Sequence, residues 1–250
     1  MQQPDFMTPD WPAPDNIGAL ATTRVGGISQ GAYASLNLGD HVGDDPAAEL
    51  ANRAELVRCA AHPGEPVWLE QVHGTTLAPL PADGPGSAAD SAWTAEAGTV
   101  CAVMTADCLP VLMCTADGSQ VAALHAGWRG LCAGVLEATV ARFTAAGAAP
   151  EQLLVWLGPA IGAAHYEVDA TVYDAFAAAG SDCSRAFVPS RPGHWQLDLY
   201  AAAGLRLAAI SVTRIWGGAF CTYADTRFFS HRREAPCGRQ ATLIWRHHRP

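Results

Sequence analysis

The chain contains no lysine: all fifteen cationic side chains are arginine. That excludes chemistry needing an ε-amino group, such as a Schiff base to a carbonyl substrate or the phosphate-gripping lysine of a P-loop. Any anionic ligand must be held by guanidinium forks, backbone N–H groups or a metal. Charge is sparse, at 16% of residues, and sums to −9 with no basic tract. Nucleic acid is therefore not an expected partner, because its binders draw affinity from clustered cations that release counterions. No apolar run reaches the ~18 residues that span a bilayer, so no membrane partner is expected either. The opening MQQPDFMTPDWPAPDN has neither the basic start nor the apolar stretch that directs export. A cytoplasmic location is expected, with the eight cysteines reduced. CxxC, HExxH and HxH spacings are also missing, and with them the commonest sequence marks of a metal site.

What is present suits a packed protein. Half of the 250 residues are hydrophobic and eight are tryptophan, and a chain of this length buries roughly 70–75% of its unfolded surface without staples. No repeat or long linker divides it, so residues 1–250 read as one domain. Short strands around the glycine loop TTRVGGISQGAYASLNLGDHVGDD lead to a helix from about Ala47 to Ala61, with Pro46 at its start. VWLEQVHG reads as a strand ending at His73 and Gly74, and TVCAVMTA as a buried strand. LPVLMCT and QVAALHA flank Asp117-Gly118, a strong hairpin signal. LCAGVLEATVARFTAAG carries apolar residues on one helical face and stops at Gly147. LLVWLGPAIG reads as a strand, VYDAFAAAG and QLDLYAAAGLRLAAI as helices, and TRIWGGAFCTY, FFSHRR and ATLIWRHH as strand-like pieces. The mixture without strict alternation predicts the α+β class, with mixed β-sheet layers flanked by helices.

A turn centred on Asp117 and Gly118 pairs position 110 with position 125 and brings Cys108 and His125 to the open end of one hairpin. If the strand ending at His73 lies alongside, a thiol and two imidazoles converge. Such a set suits zinc, at about 2.3 Å to sulfur and 2.0–2.1 Å to nitrogen, and leaves a fourth position for water or substrate. Spacing alone leaves the alternative open that Cys108 fills the core and His73 ends a strand.

The stretches TTRVGGISQGAYASLNLGDHVGDDP, WLEQVHG, MTADCLPVLM, ALHAGWRG, LGPAIGAAHYEV and FFSHRREAPCGR together resemble, in order and over nearly the whole chain, the laccase-domain (YfiH-type) family. That family was formerly labelled multicopper polyphenol oxidase and is now described as purine nucleoside phosphorylases with adenosine deaminase activity. The resemblance implies zinc held by His73, Cys108 and His125, with purine nucleosides and phosphate as small-molecule partners. Asp169, His231 and Cys237 stand where a glycine, an aromatic residue and a threonine are usual; none is a proposed ligand.

Deamination needs a proton carrier beside an activated water. Asp107, next to Cys108, is the candidate, against the plainer reading that it caps its loop, and Cys108 and His125 complete the catalytic set. Phosphorolysis needs an anion site. The candidates are Arg24 before the Gly26-Gly27 loop, Arg129 at a helix start, and the Arg232-Arg233 pair. Asn37, His41 and Gln71 are candidates to bond the ribose or orient a ligand, with turn chemistry as the alternative for Asn37. Trp68, Trp128 and Phe229 read as core rather than as a purine platform. Three other functions use the same residues. Cys108 activated by His125 would serve a cysteine-nucleophile amidase or deamidase acting on cell-wall precursors. Copper, which outranks zinc for such donors, would occupy the triad in a polyphenol oxidase. A nucleoside-sensing module would bind without turnover. With no coiled-coil pattern, a monomer is expected.

Overall fold

The structure is a computed structural model that describes residues 3–180 and 182–248. Along the chain lie strands β1 (Phe6–Met7), β2 (Ile17–Thr22), β3 (Pro66–Val67), β4 (Leu77–Pro79), β5 (Ser91–Thr94), β6 (Val100–Thr105), β7 (Leu109–Thr115), β8 (Val121–Ala126), β9 (Leu153–Leu157), β10 (Glu167–Asp169), β11 (Phe187–Pro189), β12 (His194–Leu197), β13 (Ile215–Gly217) and β14 (Gln240–Arg246). The helices are α1 (Pro46–Cys59), α2 (Trp128–Ala133), α3 (Val135–Ala145), α4 (Ala170–Ala178), α5 (Leu199–Ala209) and α6 (His231–Glu234). One sheet runs β1-β2-β14-β6-β3, a second β13-β9-β7-β8-β5-β4, and a small third β10-β12-β11. The fold is α+β.

Alternation within the β7–β8 hairpin sets the layers. Val111, Met113, Ala122 and Leu124 face Val135, Leu136, Phe143 and Leu207 of the helices. Leu112, Cys114, Val121 and Ala123 face the other way, onto Ala21, Cys101, Val103 and Ile244 of the first sheet. That sheet's outer face, with Leu20, Ala102 and Leu243, is covered by Leu56 of α1 and by Leu36 and Leu38. Both large sheets are covered on both sides, which is why β6, β7 and β8 are buried along their whole length rather than alternating.

The hairpin register is the expected one, Pro110 opposite His125, and Gly118 takes the turn with φ 67°. α1 begins at Pro46, where Asp45 caps it by accepting from the Ala47 N–H at 2.9 Å. Four expectations change. VWLEQVHG is not a strand through His73: pairing stops after Val67 apart from a bridge at Glu70, and the N–H groups of Val72, His73 and Gly74 turn to Asp90 instead. The helix expected from Leu131 to Gly147 starts earlier and is broken in two by Gly134, left-handed at φ 102°. QLDLYAAAG divides at Asp198, which ends β12 and caps α5. FFSHRR is no strand: Ser230 accepts from the Arg233 N–H and opens the short α6.

Candidate metal centre and its cavity

Cys108 immediately precedes β7, two residues before Pro110, and so shares a sheet face with His125 across the hairpin. Asp107 turns the chain there with φ 87°, and His73 does so on its own loop with φ 60°. The ligand atoms of His73, Cys108 and His125 all lie within 4.8 Å of one another. The His73 and His125 rings meet edge to face at 4.6 Å, and Cys108 Sγ stands 4.0 Å from His73 Nε2. His125 is buried, Cys108 partly so, and His73 is exposed. A Cβ on Gly127 would sit 3.0 Å from both Cys108 Sγ and His73 Cδ2, so the absent side chain keeps this cradle clear. Two nitrogens and a sulfur at this separation fit one ion, and His125 Nδ1 is held 2.8 Å from a buried Asp90 oxygen, the usual bracing of a metal-bound imidazole.

Burial opposes a charge on Cys108 and on His125, but each charged form is the other's partner. The His125 cation and hydrogen bonds from both imidazoles bring the Cys108 thiol down to about 6. The Cys108 thiolate and the Asp90 carboxylate raise His125 to about 9. A depressed thiol is thiolate above its pKa and loses that form as pH falls through it. In metal-free protein, alkylation of Cys108 by iodoacetamide is therefore expected to rise through about pH 6, followed by peptide mass spectrometry. A midpoint near the ordinary ~8.5 would contradict the ion pair.

The three residues open onto a cavity of about 420 Å³, lined also by His41, Gln71, Asp107, Tyr166, Arg232 and Arg239. Among the candidates, His41 reaches it as an exposed side chain beside Asp40. Gln71 grips strand β6 through both backbone groups of Met104, at 2.7 and 2.8 Å. Asp107 is buried, one oxygen accepting from the Thr222 hydroxyl and the other from the Arg232 N–H, both at 2.6 Å. Arg232 lies over the Tyr166 ring and donates to the Glu167 carbonyl.

Other candidates are placed elsewhere. Arg24 pairs with Glu234 at 2.6 Å and donates to the Ala34 carbonyl, while the N–H groups of Gly26 and Gly27 both point to Ser35 Oγ; the glycine loop cradles a hydroxyl of its own chain. Arg233 donates to the carbonyls of Thr222, Tyr223 and Phe228. Arg129 is exposed over the Trp128 ring. Asn37 is fully buried in turn chemistry, bonding Gly39, Asp44 and the Arg239 N–H. Trp68 and Phe229 sit in or against core clusters.

Sequence reasoning missed Asp90, Tyr166 and Arg239. Asp90 was signalled by AADSAW, an acid set at the head of an apolar strand, where it must find partners or not be buried. Arg239 commits only Nη1, to the carbonyls of Cys237 and Gly238 and weakly to the Cys237 sulfur, among the described residues. Burial keeps Tyr166 protonated, its pKa pushed up further by the neighbouring thiolate.

A sandwich of sheets clad in helices carries, at the mouth of its central hairpin, a His–Cys–His cluster that could hold a metal ion, opening onto a cavity. The chain belongs to the multi-copper polyphenol oxidoreductase laccase family, whose model matches residues 18–247. It is 51% identical over 247 residues to a protein of Pseudomonas aeruginosa named purine nucleoside phosphorylase, covering 96% of this chain and 98% of that one. It is 48% identical over 242 residues to purine nucleoside phosphorylase YfiH of Escherichia coli, with coverage of 96% and 98%. A crystal structure of a Neisseria meningitidis protein superposes with a TM-score of 0.91 at 45% identity, over 97% of this chain and 99% of that one.

Proposed function

We propose that the chain is a zinc-dependent purine nucleoside phosphorylase that also deaminates adenosine, with adenosine, inosine, guanosine and methylthioadenosine as candidate substrates. The observation that carries this reading is one cavity with His73, Cys108 and His125 in its wall and the cations Arg232 and Arg239 facing the same space. Relatives along nearly the full length are named for the first of the two activities.

When bound, zinc supplies Lewis acidity that brings a water's pKa toward neutrality, as attack on the purine C6 requires. His73, Cys108 and His125 would hold it. Arg232 and Arg239 provide guanidinium donors for a phosphate whose oxygen attacks the ribose C1′, while the bond to the purine nitrogen breaks and its electrons leave with the base. Tyr166, kept protonated beside the thiolate, offers an O–H to the substrate. Of the two roles for Asp107, its bonds to Thr222 and Arg232 favour the anchor: it ties the Cys108 loop to the start of α6.

The test is metal analysis of protein purified without added metal, alongside products from adenosine with and without phosphate. Stoichiometric zinc, free base and ribose 1-phosphate only with phosphate, and inosine without it are expected. Zinc-loaded protein that yields none of these products overturns the reading. The Cys108–His125 ion pair also favours a second reading, the cysteine-nucleophile amidase. Such an enzyme survives a chelator and is trapped by iodoacetamide, whereas a metal enzyme stops when chelated.

A further inference from the structure

We propose that Asp90 is the positioning residue of the centre: one buried carboxylate that presets both histidine ligands. The inference rests on the reading that the cluster holds a metal. Asp90 has no exposed surface, and a carboxylate so placed is costly unless every lone pair is met. Its carboxylate partners are the two histidines and the residues on either side of His73. Oδ1 accepts from His125 Nδ1 at 2.8 Å and from the His73 N–H at 2.9 Å. Oδ2 accepts from the Gly74 N–H at 2.6 Å and the Val72 N–H at 3.3 Å. The Asp90 carbonyl also accepts from the His125 N–H at 2.7 Å.

Two consequences follow from elementary chemistry. An ionised carboxylate only accepts, so His125 must keep its proton on Nδ1, and the nitrogen left for the ion is Nε2 on the Cys108 side. The second histidine is set through its backbone. His73 stands at φ 60°, a left-handed conformation that is unfavourable for a residue with a side chain. Three consecutive N–H groups converging on one carboxylate hold it there. Charge agrees with geometry: a divalent ion with one thiolate keeps a net positive charge, which Asp90 neutralises through the imidazole. Asp90→Asn keeps the shape and removes this logic, because its NH₂ must face a backbone N–H or His125 Nδ1, and the latter drives the ring proton to Nε2.

The experiment compares wild type, Asp90→Asn and Leu124→Ala for zinc affinity, by competition with a chromophoric chelator. Leu124 lies on the same strand as His125 but faces the helices, so its truncation lowers stability and leaves zinc affinity in place. Asp90→Asn is expected to bind zinc about 10–100-fold more weakly. Equal affinity of Asp90→Asn and wild type overturns the role of Asp90, and so does an equal weakening in Leu124→Ala. Wild type that takes up no zinc overturns the metal reading itself. If Asp90→Asn does not fold, nitrogen-15 NMR of the zinc-loaded wild type decides: a His125 proton on Nδ1 supports the assignment, and a proton on Nε2 overturns it.

Discussion

Cys108→Ala is expected to lose its metal and, with it, deamination by about 10³-fold or more. Cys108 is the only anionic donor in the cluster, and the charge a Lewis acid contributes at a reacting centre is worth several kcal/mol, with each 1.4 kcal/mol a factor of ten in rate. Metal content and turnover should fall together while the circular dichroism spectrum stays native. The informative companion is His73→Ala. A thiol nucleophile depends on His125 as its base and takes only an assisting hydrogen bond from the exposed His73, so the amidase reading leaves that variant active, if slower. The metal reading has it fail nearly as badly as Cys108→Ala. Retention of turnover by His73→Ala, measured with its metal content, decides against zinc chemistry.

Arg239→Ala is expected to raise the KM for phosphate about 10–100-fold, the factor given by losing hydrogen bonds to a charged group worth about 1.5–3 kcal/mol. Deamination, which consumes no phosphate, should fall less. Arg24→Ala serves as the contrast. Its guanidinium is spent on Glu234 and Ala34, so its loss should lower thermal stability and leave the phosphate KM near that of wild type. The reverse ranking would return the anion site to the glycine loop.

These two arginines show where sequence reading stops. Arg24 beside Gly-Gly looks like an anion nest because flexible backbone can converge its N–H groups. Whether they point at a ligand depends on a competitor further along the chain, the Ser35 hydroxyl, whose approach is set by Asn52 of α1 bonding the same loop. Arg239 lies in CGR with no local mark of function and enters the cavity only because β14 runs beside β6. The Cys108–His125 pairing was legible because a hairpin is local: the short loop between Thr115 and Val121 fixes the register, and register fixes which side chains share a face. The place of His73 was legible only through resemblance. The strand that was to carry it ends at Val67, and it arrives instead on a loop tied to Asp90.

By itself, then, the order of residues determined the α+β class, the hairpin, its register, and the closeness of one thiol to one imidazole, all consequences of short-range periodicity and turn chemistry. Only the tertiary structure decided the rest: that His73 joins the cluster, that a carboxylate from the head of another strand grips the His125 imidazole and the His73 backbone, and which guanidinium groups face the cavity. Contacts between segments far apart in the chain follow from how buried polar groups find partners once the layers close, and no spacing along the chain records that competition.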